Sequence, residues 1–447
     1  MLRRSVCPVT TSLLWFRRDL RLADHPALLA AAAEGEVVPV FVLDPRLLRP
    51  VGPNRVAFLL GALTDLQRRT GGALRVLTGD PVEVVPHLAE QVGASTVHVS
   101  SDHGSYGRER DAAVHARVPL TATGSPYGIT PGRLLKADGT AYRVFTPFLK
   151  AWRDRGVRRP AAAGDIRWTD GSLPTDALPE PPASTAALPE PTEEAAHERW
   201  AAFRDGPLQD YRAARNRPGA EGTSRLSPYL RWGLIHPRTL HAGLDGSPGA
   251  TAFATELVWR DFYADVLWHQ PRSARWDLTG ALARMRYDDP GPLFDAWRQG
   301  RTGYPFVDAG MRQLLAEGWL HNRVRMVVAS FLTKDLHLHW THGARHFMRH
   351  LVDADLASNS HGWQWTAGTG TDAAPYFRVF NPVRQGQEHD PDGAYVRRWV
   401  PELAHVEGRA IHEPWTLERL PDGYPERVVD HAAERAEALD RYREARA

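Results

Sequence analysis

The run Glu256-Leu257-Val258-Trp259-Arg260-Asp261-Phe262-Tyr263 brings an acid, a large aromatic plate and a cation within two helical turns. On a helix Glu256, Trp259, Arg260 and Tyr263 share one face. Such a face grips a flat heterocycle and its phosphates. It serves equally as a helix with an Arg–Glu pair and a packed Trp. A second run, Glu221-Gly222-Thr223-Ser224-Arg225-Leu226-Ser227-Pro228, leads small and hydroxyl residues into a helix. Free N–H groups, two hydroxyls and Arg225 suit a phosphate or pyrophosphate. On spacing alone it is also a plain capped helix start. A third, Trp319 to Met326, sets Asn322 and Met326 at i, i+4, and turns Arg323 and Arg325 to different sides. The fourth runs from Asp353 through Asp355, Asn359, His361 and Trp363-Gln364-Trp365 to Arg378. Its glycines and small residues admit close backbone approach. Its acids and Asn need partners wherever they are buried.

His342, His346 and His350 fall at i, i+4 and i+8, a spacing able to ligate a metal. No HExxH or carboxylate ligand accompanies them, so a partly solvated helix face is expected and no metal.

These runs need elements to hold them. The first 125 residues alternate strand and helix signals: Leu13–Phe16, Val37–Leu43, Leu74–Leu77 and Thr96–Val99 as strands, Ala27–Ala33, Asn54–Arg69 and Val82–Gln91 as helices. Strands separated by helices imply a doubly wound parallel sheet, whose ligands sit beyond the carboxyl ends of the strands. Pro39 is a flaw in the second strand. No GxGxxG follows the first strand, which argues against an ordinary dinucleotide site there. Prolines crowd residues 160–195, as in a linker. Beyond Glu193 the pattern is helical and rich in Trp and Arg, including Thr255–Trp268, Asp308–Glu317, Arg323–His337 and Gly343–Leu351. An all-helical domain of that size has room for a cofactor in its core.

Composition excludes several classes. Of 447 residues, 24% are charged and 43% hydrophobic, an ordinary globular balance. A single cysteine, Cys7, excludes an intramolecular disulfide framework and cysteine-only metal clusters. No apolar run reaches ~18 residues, so no membrane span is expected. Arginines interrupt the apolar start too soon for a signal peptide, which reads as a cytoplasmic chain. A net charge of +2 neither demands nor forbids a nucleic-acid partner.

Together the four runs, with Leu14-Trp15-Phe16-Arg17-Arg18-Asp19-Leu20-Arg21-Leu22-Ala23-Asp24 near the start, resemble the DNA photolyase and cryptochrome family, most nearly its class I cyclobutane pyrimidine dimer photolyases. The likeness spans blocks 223–232, 256–263, 303–335 and 353–382 in order. It implies an α/β antenna domain over 10–125, a linker over 126–195 and a helical domain over 196–447 that holds FAD and binds damaged DNA as a monomer. By resemblance, Tyr211, Thr223, Ser224, Arg225, Leu226 and Ser227 contact the FAD phosphates and ribityl chain. Arg325 and Asp353 form the ion pair beside the isoalloxazine, Asp355 and Asn322 add contacts, and Asn359 lies near flavin N5. Glu256 bonds a dimer base; Trp259 and Trp365 wall the flipped lesion, Met326 floors it, and Arg323 meets a DNA phosphate. Asn322 also falls among the lesion contacts. Trp363, Trp340 and Trp297 match a relay carrying an electron from the surface to the flavin.

The implied chemistry is light-driven: excited, reduced anionic FAD lends one electron to the dimer, both ring bonds open, and the electron returns. The cofactor supplies reactivity and the protein position; a damaged, poorly stacked pair is the least costly to extrude. Members acting on (6-4) photoproducts resemble one another in having histidines at the positions of Asn322 and Met326. This chain has neither, which favours the cyclobutane dimer. Where the family often has Asn-Asn-Gly-Gly, this chain reads Asn359-Ser360-His361-Gly362, placing a titratable group near the flavin. Ser101 to Asp111 looks more like the members that bind an 8-hydroxy-deazaflavin antenna than those that bind methenyltetrahydrofolate, the alternative. A cryptochrome-like photoreceptor, a repair enzyme for single-stranded or (6-4) lesions, and a light-independent flavoprotein are the competing readings.

Overall fold

The computed structural model describes residues 10–184, 186–371 and 377–447. Cys7 and the stretch Asp372–Tyr376 of the fourth run lie outside them. Five strands, β1 Thr11–Phe16, β2 Glu36–Leu43, β3 Arg75–Thr78, β4 Val97–Val99 and β5 Leu120–Ala122, form one parallel sheet in the order β3-β2-β1-β4-β5. This is the doubly wound order, with the switch point between β1 and β4. β1 and β2 are buried along nearly their whole length, as continuous apolar runs in a parallel sheet should be. Pro39 stays in register opposite Leu14. The helices α1 Pro26–Glu34, α2 Pro53–Arg69, α3 Pro81–Gln91 and α4 Ser105–His115 flank the sheet.

Most helices open with a proline at the first turn, where the missing N–H has no partner to lose. The linker region is not bare: it holds α5, Phe145–Arg155. There Phe145, Phe148 and Trp152 pack on Val258, Phe262 and Val266. The later part of the linker ties the two halves together: Val37 N–H donates to Arg167 O (2.8 Å) and Ala187 N–H to Ala316 O (2.8 Å).

The rest of the described chain is largely helical. The helices that matter below are α6 Glu193–Arg204, α7 Ser227–Trp232, α8 Pro248–His269, α9 Pro292–Gln299, α10 Pro305–Glu317, α11 Asn322–Ser330, α12 Trp340–His350, α13 Leu356–Ala367 and α14 His431–Arg446. One sheet face shares its core with this half, Leu14, Phe16 and Phe41 packing with Trp200, Tyr229 and Trp232. The expected helix 323–337 breaks at Ser330 into a π-helical turn, Phe331–Asp335. Lys334 is buried within this turn: its Nζ donates to Ala367 O (2.6 Å) and sits 3.3 Å from the Phe377 ring. Among the described residues no helix is long and apolar enough to cross a membrane.

Candidate active site

α13 carries three of the expected residues on one face. Asp355 caps it, accepting from Ser358 N–H (3.1 Å); Asn359 and Trp363 follow at four-residue steps. Asn359 Nδ2 donates to Ala344 O of α12 (3.1 Å). Its amide thereby keeps a fixed pose on the helix face. Asp355 also pairs with Arg18, which follows β1 (2.7 Å). Burial pushes this carboxyl up, but Arg18, Arg231 and Arg260 outweigh it and hold the group well below the usual carboxylate range. Arg231 Nε is held by Ala354 O (2.7 Å), and burial brings its guanidinium down to about 9.

Arg325 and Asp353 form the expected ion pair, at 2.8 Å, with Arg325 Nε donating to Leu320 O (2.8 Å). Asp353 Oδ1 is buried and has no partner within the protein, and neither have Arg231 Nη1 and Arg323 Nε. A buried carboxylate oxygen awaiting an N–H, on an aspartate already paired with an arginine, fits the edge of a flavin ring. The residues present therefore suit FAD.

The Thr223–Ser227 loop packs by Trp319 and Glu317. Ser227 Oγ accepts from Trp319 Nε1 (3.2 Å), and Arg225 takes a left-handed backbone (φ 51°). The Arg225 side chain is committed elsewhere, to Glu317 (3.2 Å) and the Trp319 face (4.4 Å). It would offer a phosphate its backbone rather than its guanidinium. Tyr211 is buried against Phe203 and Phe253.

On α8, Glu256 pairs with Arg215 (2.7 Å). Burial raises its carboxyl above the ordinary value, with Arg215 opposing. Trp259 lies one turn on, half-buried and stacked on Phe145 (3.6 Å, 7°), so one of its faces is covered by the linker helix. Asp261, buried on the same helix, anchors the 128–129 backbone, accepting from Ile129 N–H (2.8 Å). Trp365 is half-buried, with Arg378 5.3 Å from its ring. Asn322 is exposed at the start of α11, Met326 is half-buried one turn on, and Arg323 donates to Asn216 (2.9 Å).

Three placements depart from a sequence reading. Trp297 is 0% exposed, with its Nε1 donating to Val328 O (3.0 Å), so its ring does not meet solvent. His361 points away from Asn359: Nε2 meets Ser273 Oγ (2.9 Å), Nδ1 meets Ala357 O (2.8 Å), and burial lowers it to about 4. It is a neutral structural histidine. Third, Arg18, Arg231 and Arg260 surround Asp355; Arg260 was expected on a gripping face of its helix, whereas Arg231 was not singled out and Arg18 only within the opening motif, where its place beyond β1's carboxyl end was the available signal. His346 and His350 rings do approach each other (4.4 Å), but no group able to hold a metal appears among the described residues.

A cleft of about 1120 Å³ runs between the carboxyl ends of the strands and α12–α13. Phe16, Arg18, Asp44 and Asp102 line one wall, Trp340, Ala344, Met348 and Asn359 the other, and Arg49, Arg298, Arg345 and Arg349 its rim. This is where the sheet topology places a ligand.

Two family descriptions match the chain: DNA photolyase over residues 12–164, and FAD binding domain of DNA photolyase over 253–444. The deoxyribodipyrimidine photo-lyase of Streptomyces griseus is 41% identical, over 96% of this chain and 98% of that one.

The chain belongs to the DNA photolyase family.

This photolyase is thus an enzyme, a photo-lyase with an FAD-binding domain. Its fold is similar to a class III photolyase from Agrobacterium tumefaciens (TM-score 0.92, 35% identity, 100% and 99% of the two chains). It is also similar to a cryptochrome from Synechocystis (TM-score 0.89, 28%, 97% and 100%).

Proposed function

We propose that this photolyase repairs cyclobutane pyrimidine dimers in DNA under blue light. The observation that carries the reading is a half-buried carboxyl, Glu256, held by Arg215 one helical turn from the half-buried Trp259 on α8, in a chain whose residues 322 and 326 are Asn and Met rather than histidines. Reduced FAD, when bound, supplies one electron to the dimer on absorbing light and takes it back after the ring bonds open.

The chain's own residues do the rest. Asp353, Asp355 and Asn359 accept from and orient the flavin ring; Arg325 fixes Asp353. Tyr211 and the 223–227 loop hold the ribityl and phosphate end. Trp259, Trp365 and Met326 enclose the flipped dimer and exclude water. Glu256, whose carboxyl burial raises above its ordinary value with Arg215 opposing, hydrogen-bonds a base of the dimer. Arg323 meets the DNA phosphate. In the cleft, a flat antenna with an acidic tail suits apolar walls and an arginine rim. We assign 8-hydroxy-deazaflavin there, with methenyltetrahydrofolate the alternative. The likeness to a cryptochrome keeps photoreception as the second reading.

Assaying the reduced protein on duplexes carrying either lesion tests the proposal. Light-dependent loss of the cyclobutane dimer alone is expected. Turnover of the (6-4) product alone, or of neither, overturns it.

A further inference from the structure

A second cavity, of about 680 Å³, is lined by the loop 136–143, the end of α8 and the segment after α13. Two of its lining residues, Tyr142 and Arg143, lead into α5, whose Phe145 stacks on Trp259. Two others, Gly370 and Thr371, follow Trp365 by five and six residues. The cavity thus shares chain segments with both expected walls of the flipped lesion. None of its lining takes part in the flavin or lesion chemistry above.

The backbone around it is fixed. Lys136 N–H donates to Thr140 O (2.9 Å), Leu278 N–H donates to Gln364 Oε1 of α13 (2.7 Å), and Thr371 Oγ donates to Arg143 O. Several lining side chains are uncommitted. Lys136 and Arg143 form no ion pair among the described residues, and the Gln270 amide and Tyr142 hydroxyl make no hydrogen bond there. His269 Nε2 is buried without a hydrogen-bond partner, 3.7 Å from Asp265 Oδ2. Leu135 and Val144, each next in sequence to one of the two cations, are 45% exposed.

These groups match a nucleotide part by part. Unpaired cations attract a phosphate. An aromatic ring stacks on a base. A free carboxamide meets the paired donor and acceptor on the edge of adenine. Extruding a thymine dimer leaves its partner adenines unpaired, and this lost pairing is part of the cost of flipping.

We propose that this cavity is a DNA subsite for an adenine left unpaired opposite the extruded dimer, with Lys136 and Arg143 on the neighbouring phosphate, Gln270 on the base edge and Tyr142 against its ring. This rests on the reading that the dimer is flipped between Trp259 and Trp365. An adenine held here cannot pair again with the dimer, so the subsite strengthens binding of duplex and does nothing for a single strand.

Equilibrium binding of the flavin-loaded chain in the dark tests this. Three DNAs carry the dimer: a duplex with adenines opposite it, the same duplex with abasic residues opposite it, and the single strand. Gln270→Ala should raise the ratio of the adenine-duplex Kd to the abasic-duplex Kd by about fivefold, the order of one lost amide–base contact. Lys136→Ala should lower the slope of log Kd against log salt by about 1 on the duplex, as one lost phosphate contact does, and leave the single-strand slope alone. Both variants should bind and repair the single strand as the unsubstituted protein does, which also reports an intact fold. An unchanged ratio in Gln270→Ala, or single-strand affinity falling as far as duplex affinity in either variant, overturns the proposal. An unsubstituted protein that binds the dimer single strand no more tightly than an undamaged one defeats the lesion reading beneath it as well.

Discussion

At the scale of single residues, the site is a set of polar groups whose partners are incomplete within the protein. Asp353 shows this best: Arg325 takes one carboxylate oxygen and the other is buried and unpartnered. An arrangement built only for stability would not leave that oxygen bare. Replacing Asp353 by Leu should therefore weaken flavin retention by about 2 kcal/mol, the order of a hydrogen bond to a charged group, read as the flavin's dissociation constant. Glu256 acts on the lesion rather than the cofactor. Glu256→Ala should slow repair roughly tenfold to a hundredfold, by loss of about 1.5–3 kcal/mol of bonding to the charged dimer, while flavin content stays constant. His361 carries a pH prediction. Burial lowers its folded value to about 4 from 6.5, so its contribution to stability is complete above pH 6.5 and declines as pH falls through that window. At about pH 5 the loss from this one group is about 2 kcal/mol. Thermal unfolding at pH 7.5 and pH 5 should show it, and His361→Gln should flatten the dependence.

At the scale of elements, α12 and α13 pack together, and at Gly343 the Trp363 ring lies against bare backbone. Gly343→Ala would force the Trp363 ring aside at a cost of about 1–3 kcal/mol. A lower melting temperature together with a shift in Trp363 fluorescence would report it. This contact was not legible in the sequence, where Gly343 is one glycine among many. The alternation of β1 to β4 with α1 to α3 was legible because buried parallel strands leave continuous apolar runs. β5 was missed because it is short and half-exposed, and α5 because Pro147 and a polar setting disguise it. The π-helical turn at 331–335 holds Lys334 in a long-range contact with Ala367 O, which no local pattern carries. Among site residues, acids and aromatics at four-residue steps were readable. The burial of Trp297, the commitment of Arg225 to Glu317 and the ring of arginines around Asp355 depend on chain segments far apart in sequence.

At the scale of the whole molecule, the two halves meet where the chemistry is. The Arg18–Asp355 pair joins the loop after β1 to the cap of α13, so the sheet's switch point and the expected flavin face share one ion pair. Arg18→Gln should loosen both: flavin retention falls, and the large cleft takes up an antenna less tightly, as absorption beyond the flavin bands would show. Asn359 lines this cleft as well, so an antenna held there, as proposed above, would lie beside the proposed flavin face. The central claim is that this joined architecture delivers light energy to a pyrimidine dimer. Its most direct test is blue illumination of the flavin-reduced protein with a dimer-containing duplex, counting intact pyrimidines against a dark control. Recovery in the light and none in the dark is the predicted result. Equal recovery in both, or none in either with flavin and DNA bound, would contradict it.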